Sequence, residues 1–151
     1  MALDLDAVAR ALAAAIETAS IVVNGAVVTA SDYVPEAIAS SSPPTFVVAD
    51  FSTSPHQTFN GLDRATFTCR LLIPRGEDAG MTAQRSTRQA ASTSGSSSVL
   101  AALEAARGAP GQKALSGAAD DLVVQRVRGP ALLALGEVSF YGVEYTVLVM
   151  G

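Results

Sequence analysis

The clearest pattern along the chain is the alternation of apolar and polar residues between positions 65 and 73. Alternation with a period of two is typical of a strand with one buried face. Pro74 and Gly76 follow, and both residues end strands readily. One face carries Ala65, Phe67, Cys69, Leu71 and Ile73, and the other carries Thr66, Thr68 and Arg70.

The last thirteen residues, SFYGVEYTVLVMG (139–151), show the same period but a different balance. Tyr141, Val143, Tyr145, Val147 and Val149 share one face. The opposite face begins with Glu144 and Thr146 and then turns apolar at Leu148 and Met150. The end of this strand is therefore apolar on both sides. Either the helices of the same subunit cover both faces, or a neighbouring subunit covers one of them.

Three segments have the spacing of helices. Residues 4–19 place apolar side chains three and four positions apart, with Asp4 as the N-cap and Leu3 positioned to staple onto Val8. Residues 78–93 predict a polar, alanine-faced helix whose only large apolar residue is Met81. Residues 98–107 predict a third helix that ends at Gly108.

Turn residues divide the remaining chain into strands. Asn24-Gly25 lies between two valine-rich runs and favours either a hairpin or one long strand with a kink. The segment TFVVADF (45–51) predicts a strand beside 65–73, with Asn60-Gly61 in the connection. Residues 121–130 predict another strand, and two more turn near Gly136-Glu137. We therefore expect a single α+β domain over 1–151, with a mostly antiparallel mixed β-sheet packed by an N-terminal helix and a central helix pair.

Composition excludes several classes of function. The net charge is −4, with nine arginines and a single lysine, so the chain lacks the basic surplus typical of nucleic-acid binding. One cysteine permits neither an intrachain disulfide nor a thiolate metal cluster. The N-terminal segment carries Asp4 and Asp6 where a signal peptide would be basic, and no long apolar run predicts a membrane span. These features predict a protein made and kept in a reducing cytosol.

The sequence offers little chemistry. His56 is the only histidine and lies in a polar loop without a serine elbow. The segment GAPGQKALSG (108–117) lacks the Gly-Lys-Ser/Thr order of a phosphate-binding loop. Asp120 and Asp121 are adjacent and would point to opposite sides of a strand, so we interpret them as charges flanking its start. We predict no enzyme activity and no catalytic, cofactor-binding or metal-binding residues.

Four segments together resemble a known family. They are YVPE (33–36), FTCRLLIPRG, the pair of helical segments in AQRSTRQAASTSGSSSVLAALEA, and the closing GEVSFYGVEYTVLVMG. In their order along nearly the whole chain, these elements resemble the tail terminator proteins of long-tailed bacteriophages, especially those of actinobacterial hosts. RLLIPRG and YGVEYTVLV carry most of the resemblance.

The resemblance implies a structural virion protein with no catalytic residues and no cofactor. It would form a ring, typically a hexamer, that caps the finished tail tube at the tail-neck junction and meets the head–tail connector or stopper. DNA would pass through the lumen without specific binding, and assembly would take place in the bacterial cytoplasm. Alternatives are another neck or tail ring component, such as a head–tail stopper or tube subunit, and a small-ligand-binding α+β module. The predicted subunit contacts are Leu148, Met150, Asn60, Gly61, Arg70, Arg75, Arg126 and Arg128.

Overall fold

The computed structural model describes residues 3–23, 25–38, 43–53, 64–75, 81–135 and 138–151. These residues form three helices and seven strands. Five strands lie between the first helix and the second, and two strands follow the third helix. The predicted α+β class is confirmed. In chain order the elements are α1 (Leu5–Ala19), β1 (Val22–Val23), β2 (Ala26–Val27), β3 (Thr29–Ser31), β4 (Thr45–Thr53), β5 (Arg64–Pro74), α2 (Met81–Ala91), α3 (Val99–Ala105), a 3-10 turn (Leu115–Gly117), β6 (Asp121–Leu135) and β7 (Val138–Met150).

Five strands form the main sheet, in the order β3-β4-β5-β7-β6. Only the short β3–β4 pair is parallel, so the sheet is mostly antiparallel, as predicted. β4 is the neighbour of β5, as the sequence indicated, with Val48 opposite Cys69. β7 pairs along the whole of β5 on one side and along β6 on the other, which puts the last strand inside the sheet.

Of the two alternatives at Asn24-Gly25, a hairpin or a kinked long strand, the pairing on either side shows the hairpin. Val23 pairs with Ala26 in an antiparallel ladder, which leaves a two-residue turn. Gly25 has a φ of +77°, a conformation that glycine adopts without a steric penalty. Asn24 itself lies outside the described residues, and so does the predicted turn at Gly136-Glu137, although Leu135 and Val138 pair on either side of it.

The expectation that 121–130 and 131–135 form separate strands is wrong. They form one strand, β6, which contains two irregularities, one between Val124 and Arg126 and one between Arg128 and Ala131. β6 is an edge strand, where a proline such as Pro130 is tolerated because its missing N–H leaves no ladder partner unpaired. At Gly129 a Cβ would lie 2.9 Å from the carbonyl oxygen of Gly142, so the close approach to β7 favours glycine there.

All three helices contribute to one apolar cluster with one side of the sheet, which we call the inner face. The inner face carries Phe46, Phe67, Cys69, Leu71, Val143, Tyr145, Val147 and Val149, all of them buried. The helices supply Val8, Leu12 and Ile16 from α1, Ala83 and Ala90 from α2, and Val99, Leu100 and Leu103 from α3.

The start of α1 follows the sequence signal, whereas α3 ends at Ala105, before the predicted stop at Gly108. The carboxylate of Asp4 accepts hydrogen bonds from the backbone N–H groups of Asp6 and Ala7, as expected of an N-cap. α2 is alanine-faced as predicted, and Ser86 and Thr87 are buried with its alanines. The Tyr145 hydroxyl donates to the carbonyl oxygen of Ala90 over 3.0 Å. Ala90 lies in the last turn of α2, where carbonyls lack partners within the helix, so Tyr145 ties that end to the sheet.

The opposite side of the sheet, the outer face, has a second and smaller apolar cluster. It consists of Ile38, Val47, Leu72 and Phe140, with Leu133, Leu135 and Val138 packed against it. These residues occupy the end of the sheet nearest the β6–β7 turn. None of them belongs to a helix, so among the described residues helical packing is confined to the inner face.

Replacing Tyr145 with phenylalanine tests the link between α2 and the sheet. The variant keeps the ring in the core but leaves the Ala90 carbonyl unpaired, and we expect a loss of about 1–2 kcal/mol in the free energy of unfolding. Urea denaturation measures it. Tyr33→Phe is the matched control, because the Tyr33 side chain is exposed and should change stability by less than about 0.5 kcal/mol. Equal effects of the two variants would contradict a structural role for the Tyr145 hydroxyl.

Candidate interaction surface on the outer face

The outer face gathers five of the eight residues that the sequence predicts as subunit contacts. Strand pairing places them in consecutive rows, because residues opposite each other in an antiparallel ladder share a face. The rows are Arg70–Glu144–Arg128, Thr68–Thr146–Arg126, Thr66–Leu148–Val123 and Arg64–Met150–Asp121. Sequence alternation alone could not align these positions, since they come from three strands far apart in the chain.

Leu148 and Met150 form the apolar part of this surface. Both side chains are half-buried, and neither belongs to the apolar cluster of the inner face or to that of the outer face. The interpretation in which the subunit's own helices cover them is wrong for the described residues, because the helices pack on Tyr145 and its inner-face neighbours. Their partial exposure leaves apolar area that a second molecule can bury.

Arg70 organises the charges next to these residues. Its Nε lies 3.4 Å from a carboxylate oxygen of Glu144, and its Nη2 lies 3.9 Å from one of Asp50. All three side chains are at least one-third exposed, so each contact contributes well under about 1 kcal/mol to folding. These contacts therefore make the surface polar and hold the Arg70 side chain in place, and they contribute little to the stability of the fold.

Arg126 and Arg128 extend the surface onto the edge strand. Both are exposed, and no ion pair involves either of them within the described part of the chain. Arg128 lies in register with Glu144, whose carboxylate is engaged by Arg70 instead. The edge of the sheet therefore presents two guanidinium groups to solvent.

The other predicted contacts do not join this surface. Arg75 is exposed and follows the last residue of β5, beyond the rows described above. Asn60 and Gly61 lie outside the described residues, so their predicted role in subunit contacts stays a prediction.

The titratable groups near the start of β6 are held in ion pairs. Lys113 Nζ lies 3.5 Å from Asp120, and Arg107 Nε lies 2.8 Å from Asp121. The hydrogen bond from Arg107 holds the pKa of the Asp121 carboxyl below its usual value. These contacts agree with the interpretation of both aspartates as charges flanking a strand start. His56 lies outside the described residues, and the described ones contain no group of histidine, cysteine and carboxylate side chains suited to a metal ion.

Cys69 is enclosed in the centre of the inner face. Burial raises the pKa of its thiol from 9.0 to about 12, because the thiolate would lose its hydration there. Burial also raises the pKa of the Tyr145 hydroxyl. Both groups are therefore neutral at physiological pH and serve the packing of the core.

The described residues line several concave regions, none of which the sequence predicted, and two of them bear on function. An alanine-lined groove of about 760 Å³ separates α1 from α3 and the 3-10 turn. Its cations are already engaged, Arg10 by Asp6 and Lys113 by Asp120. A cleft of about 410 Å³ lies between the start of α1 and the outer end of β4. We call it the Phe51 cleft; its apolar lining includes Leu5, Tyr33, Val34, Phe51 and Phe67.

Comparison with known proteins adds no assignment: no protein-family model and no curated protein matches the chain. No helix in the described part of the chain has the length and apolar character needed to cross a membrane.

Paired aspartate substitutions test the assignment of the two faces. Leu148→Asp with Met150→Asp places charges on the outer face, where water reaches them, and should cost about 1 kcal/mol or less per site. Val147→Asp with Val149→Asp places the same charges in the helix-covered core and should unfold the chain, because an unpaired buried charge costs several kcal/mol. Circular dichroism with urea denaturation measures both. Unfolding of the Leu148/Met150 variant would show that these side chains are covered within the subunit.

The environment of Cys69 predicts its reactivity. A thiol with a raised pKa holds almost no thiolate at pH 8, so a disulfide reagent such as Ellman's should react only after the chain unfolds. The measurement compares reaction rates in buffer and in denaturant. Rapid reaction of the native protein would contradict the buried position.

Proposed function

We propose that this chain is a tail terminator of a long-tailed bacteriophage, a structural protein that assembles as a ring on the completed tail tube. The observation that carries the proposal is the outer face, where Leu148 and Met150 lie beside the charges of Arg70, Arg126 and Arg128. An apolar centre with a charged border is the usual composition of a protein–protein interface. The resemblance of the chain's segments to that family supplies the identity of the assembly.

The shape of the sheet supports a ring over a symmetric dimer. The outer-face surface lies toward β6, where Arg126 and Arg128 are exposed, whereas the opposite edge, formed by β3 and β4, exposes Asp50 and Phe51. A contact between two different surfaces is heterologous, and heterologous contacts generate closed rings or open filaments. We expect about six subunits from the family resemblance, with the tail tube protein on one side and the head–tail connector or stopper on the other.

In this function the chain needs no catalytic group and no cofactor. The ring ends tube growth, joins tail to head at the tail-neck junction, and leaves a lumen through which DNA passes without specific recognition. The net charge of −4 supports this last point, because it gives the surface as a whole no excess of cations for phosphates. The protein would be assembled in the bacterial cytoplasm and retained in the virion.

A head–tail stopper or a tube subunit would use the same kind of ring and is the second candidate. The alanine-lined groove is the specific observation in favour of a third candidate, a small-ligand-binding module, since its volume of about 760 Å³ is in the usual range of ligand pockets. The pairing of its two cations with carboxylates argues against an anionic ligand there.

Reconstitution on tail tubes tests the proposal. The chain is co-expressed with the tube protein of the same phage, and the tubes are imaged by electron microscopy. We expect a ring at one tube end and a narrow distribution of tube lengths. Leu148→Asp with Met150→Asp should remove the rings because charges then replace the apolar centre of the interface.

The matched control substitutes aspartate at exposed apolar positions elsewhere. Val22→Asp with Val27→Asp alters the small β1–β2 hairpin, and its rings should match those of the wild type. Rings stacked along the tube would favour a tube subunit. Binding to the head-side connector but not to tubes would favour a stopper, and a monomer that binds neither would contradict the proposal.

A further inference from the structure

The Phe51 cleft exposes large apolar side chains in a concave surface. Tyr33 is 65% exposed and Phe51 is 63% exposed, and the ring of Phe51 lies 6.3 Å, centre to centre, from that of Phe67. Val34 is exposed beside them. Exposed aromatic residues clustered in a cleft are typical of a surface that binds another molecule.

The rim of the cleft is acidic. Asp6, Asp32 and Asp50 all line it. Asp6 is engaged by Arg10 at 2.6 Å, but Asp50 is 73% exposed and reaches Arg70 only at 3.9 Å, and no ion pair involves Asp32 within the described residues. An occupant of this cleft should therefore combine apolar side chains with cations.

The backbone at the cleft is also open. β3 pairs with β4 only from Thr45 to Val47, so β4 from Asp50 to Thr53 is an edge without a partner strand among the described residues. In this stretch Asp50 lies on the outer face, opposite Thr68, and Phe51 lies on the inner face, opposite Phe67. A strand that joined this edge would have to match an acidic outer position and an apolar inner one.

The opposite edge of the same sheet has the complementary pattern. In β6, Arg126 and Arg128 lie on the outer face and Val127 lies between them on the inner face, opposite Tyr145. This stretch is bounded by the two irregularities of β6, so it is a short regular segment, as is β4 from Asp50 to Thr53. If the two edges were placed side by side, Arg126 and Arg128 would meet Asp50 on the outer face. Val127 would meet Phe51 on the inner face.

We infer that the Phe51 cleft receives the β6 edge of a second copy of this chain, with Arg126 and Arg128 against Asp50 and the acidic rim of the cleft. The inference rests on the proposed ring and adds a pair of sheet edges to its contact, next to the outer-face surface of Leu148 and Met150. The two edges are on opposite sides of one sheet, so each subunit offers one of each and the contact repeats head to tail. Electrostatic complementarity then fixes which edges meet.

Among the described residues, α2 carries another basic and apolar surface. Met81 is exposed, and Arg85 and Arg88 follow at helical spacing. A variant of these two arginines therefore serves as the matched control, with the same loss and reversal of charge on a different element.

Charge reversal on each side tests the inference. The edge variant is Arg126→Glu with Arg128→Glu, the cleft variant is Asp32→Lys with Asp50→Lys, and the control is Arg85→Glu with Arg88→Glu. Self-association of the full chain is measured by sedimentation velocity over a range of concentrations at low ionic strength. Tube-bound rings are counted in parallel, and circular dichroism confirms folding.

We expect the edge variant and the cleft variant each to weaken self-association at least about tenfold, because like charges then face each other. The control should associate as the wild type does. An equal mixture of the two defective variants should regain association, since the reversed edge of one fits the reversed cleft of the other while the two unaltered surfaces also match.

The remaining outcomes overturn the inference. They are unchanged association of the edge and cleft variants, no recovery in the mixture, loss in the α2 control instead, and a wild type that associates neither in solution nor on tubes. The proposed function is judged separately. Wild-type rings on tubes with no effect of these charges would overturn the edge contact alone, whereas recovery in the mixture without any binding to tubes would overturn the terminator function alone.

Discussion

The structure depends on burial on only one side of its sheet. Phe67, Cys69, Tyr145 and Val147 are buried under the helices, and the buried residues of the helices join this cluster. Apolar burial is the main stabilising term in a domain of this size, so the fold is held by the inner face. The outer face is left with a small cluster at one end and with charges, threonines, Leu148 and Met150 at the other. The exposed chemistry of the outer face is thus a direct result of where the core lies.

Much of the fold could be predicted because the chain's local signals agree with its packing. Alternation in β5 and β7 assigned both strands and separated their faces correctly, since a period of two admits no other regular structure. Asp4 begins α1 as its capping preference indicates, and Asn24-Gly25 marks a hairpin. These signals involve only a few neighbouring residues, so they can be recognised without knowledge of the tertiary structure.

The features that could not be predicted from the sequence depend on contacts between distant segments. Gly129-Pro130 is typical of a strand end, yet β6 continues through it because an edge strand tolerates both a bulge and a missing N–H. Leu115 in the loop after α3 is buried in the inner-face cluster although its local sequence is typical of a turn. Three strands bring Arg70, Arg126 and Leu148 onto one face. Predicting this requires knowledge of the strand order, which the alternation of residues does not give. The Phe51 cleft was missed for the same reason.

The irregularities of β6 have a consequence for how the protein behaves at high concentration. A long, flat, free edge offers evenly spaced N–H and C=O groups to any extended chain and so seeds fibrils. Here the two irregularities, Pro130 and the guanidinium groups of Arg126 and Arg128 break that edge into short stretches. Generic strand addition is suppressed, and only a partner whose side chains suit one short stretch gains from pairing. At high concentration the protein can thus keep an exposed strand edge without becoming a template for amyloid.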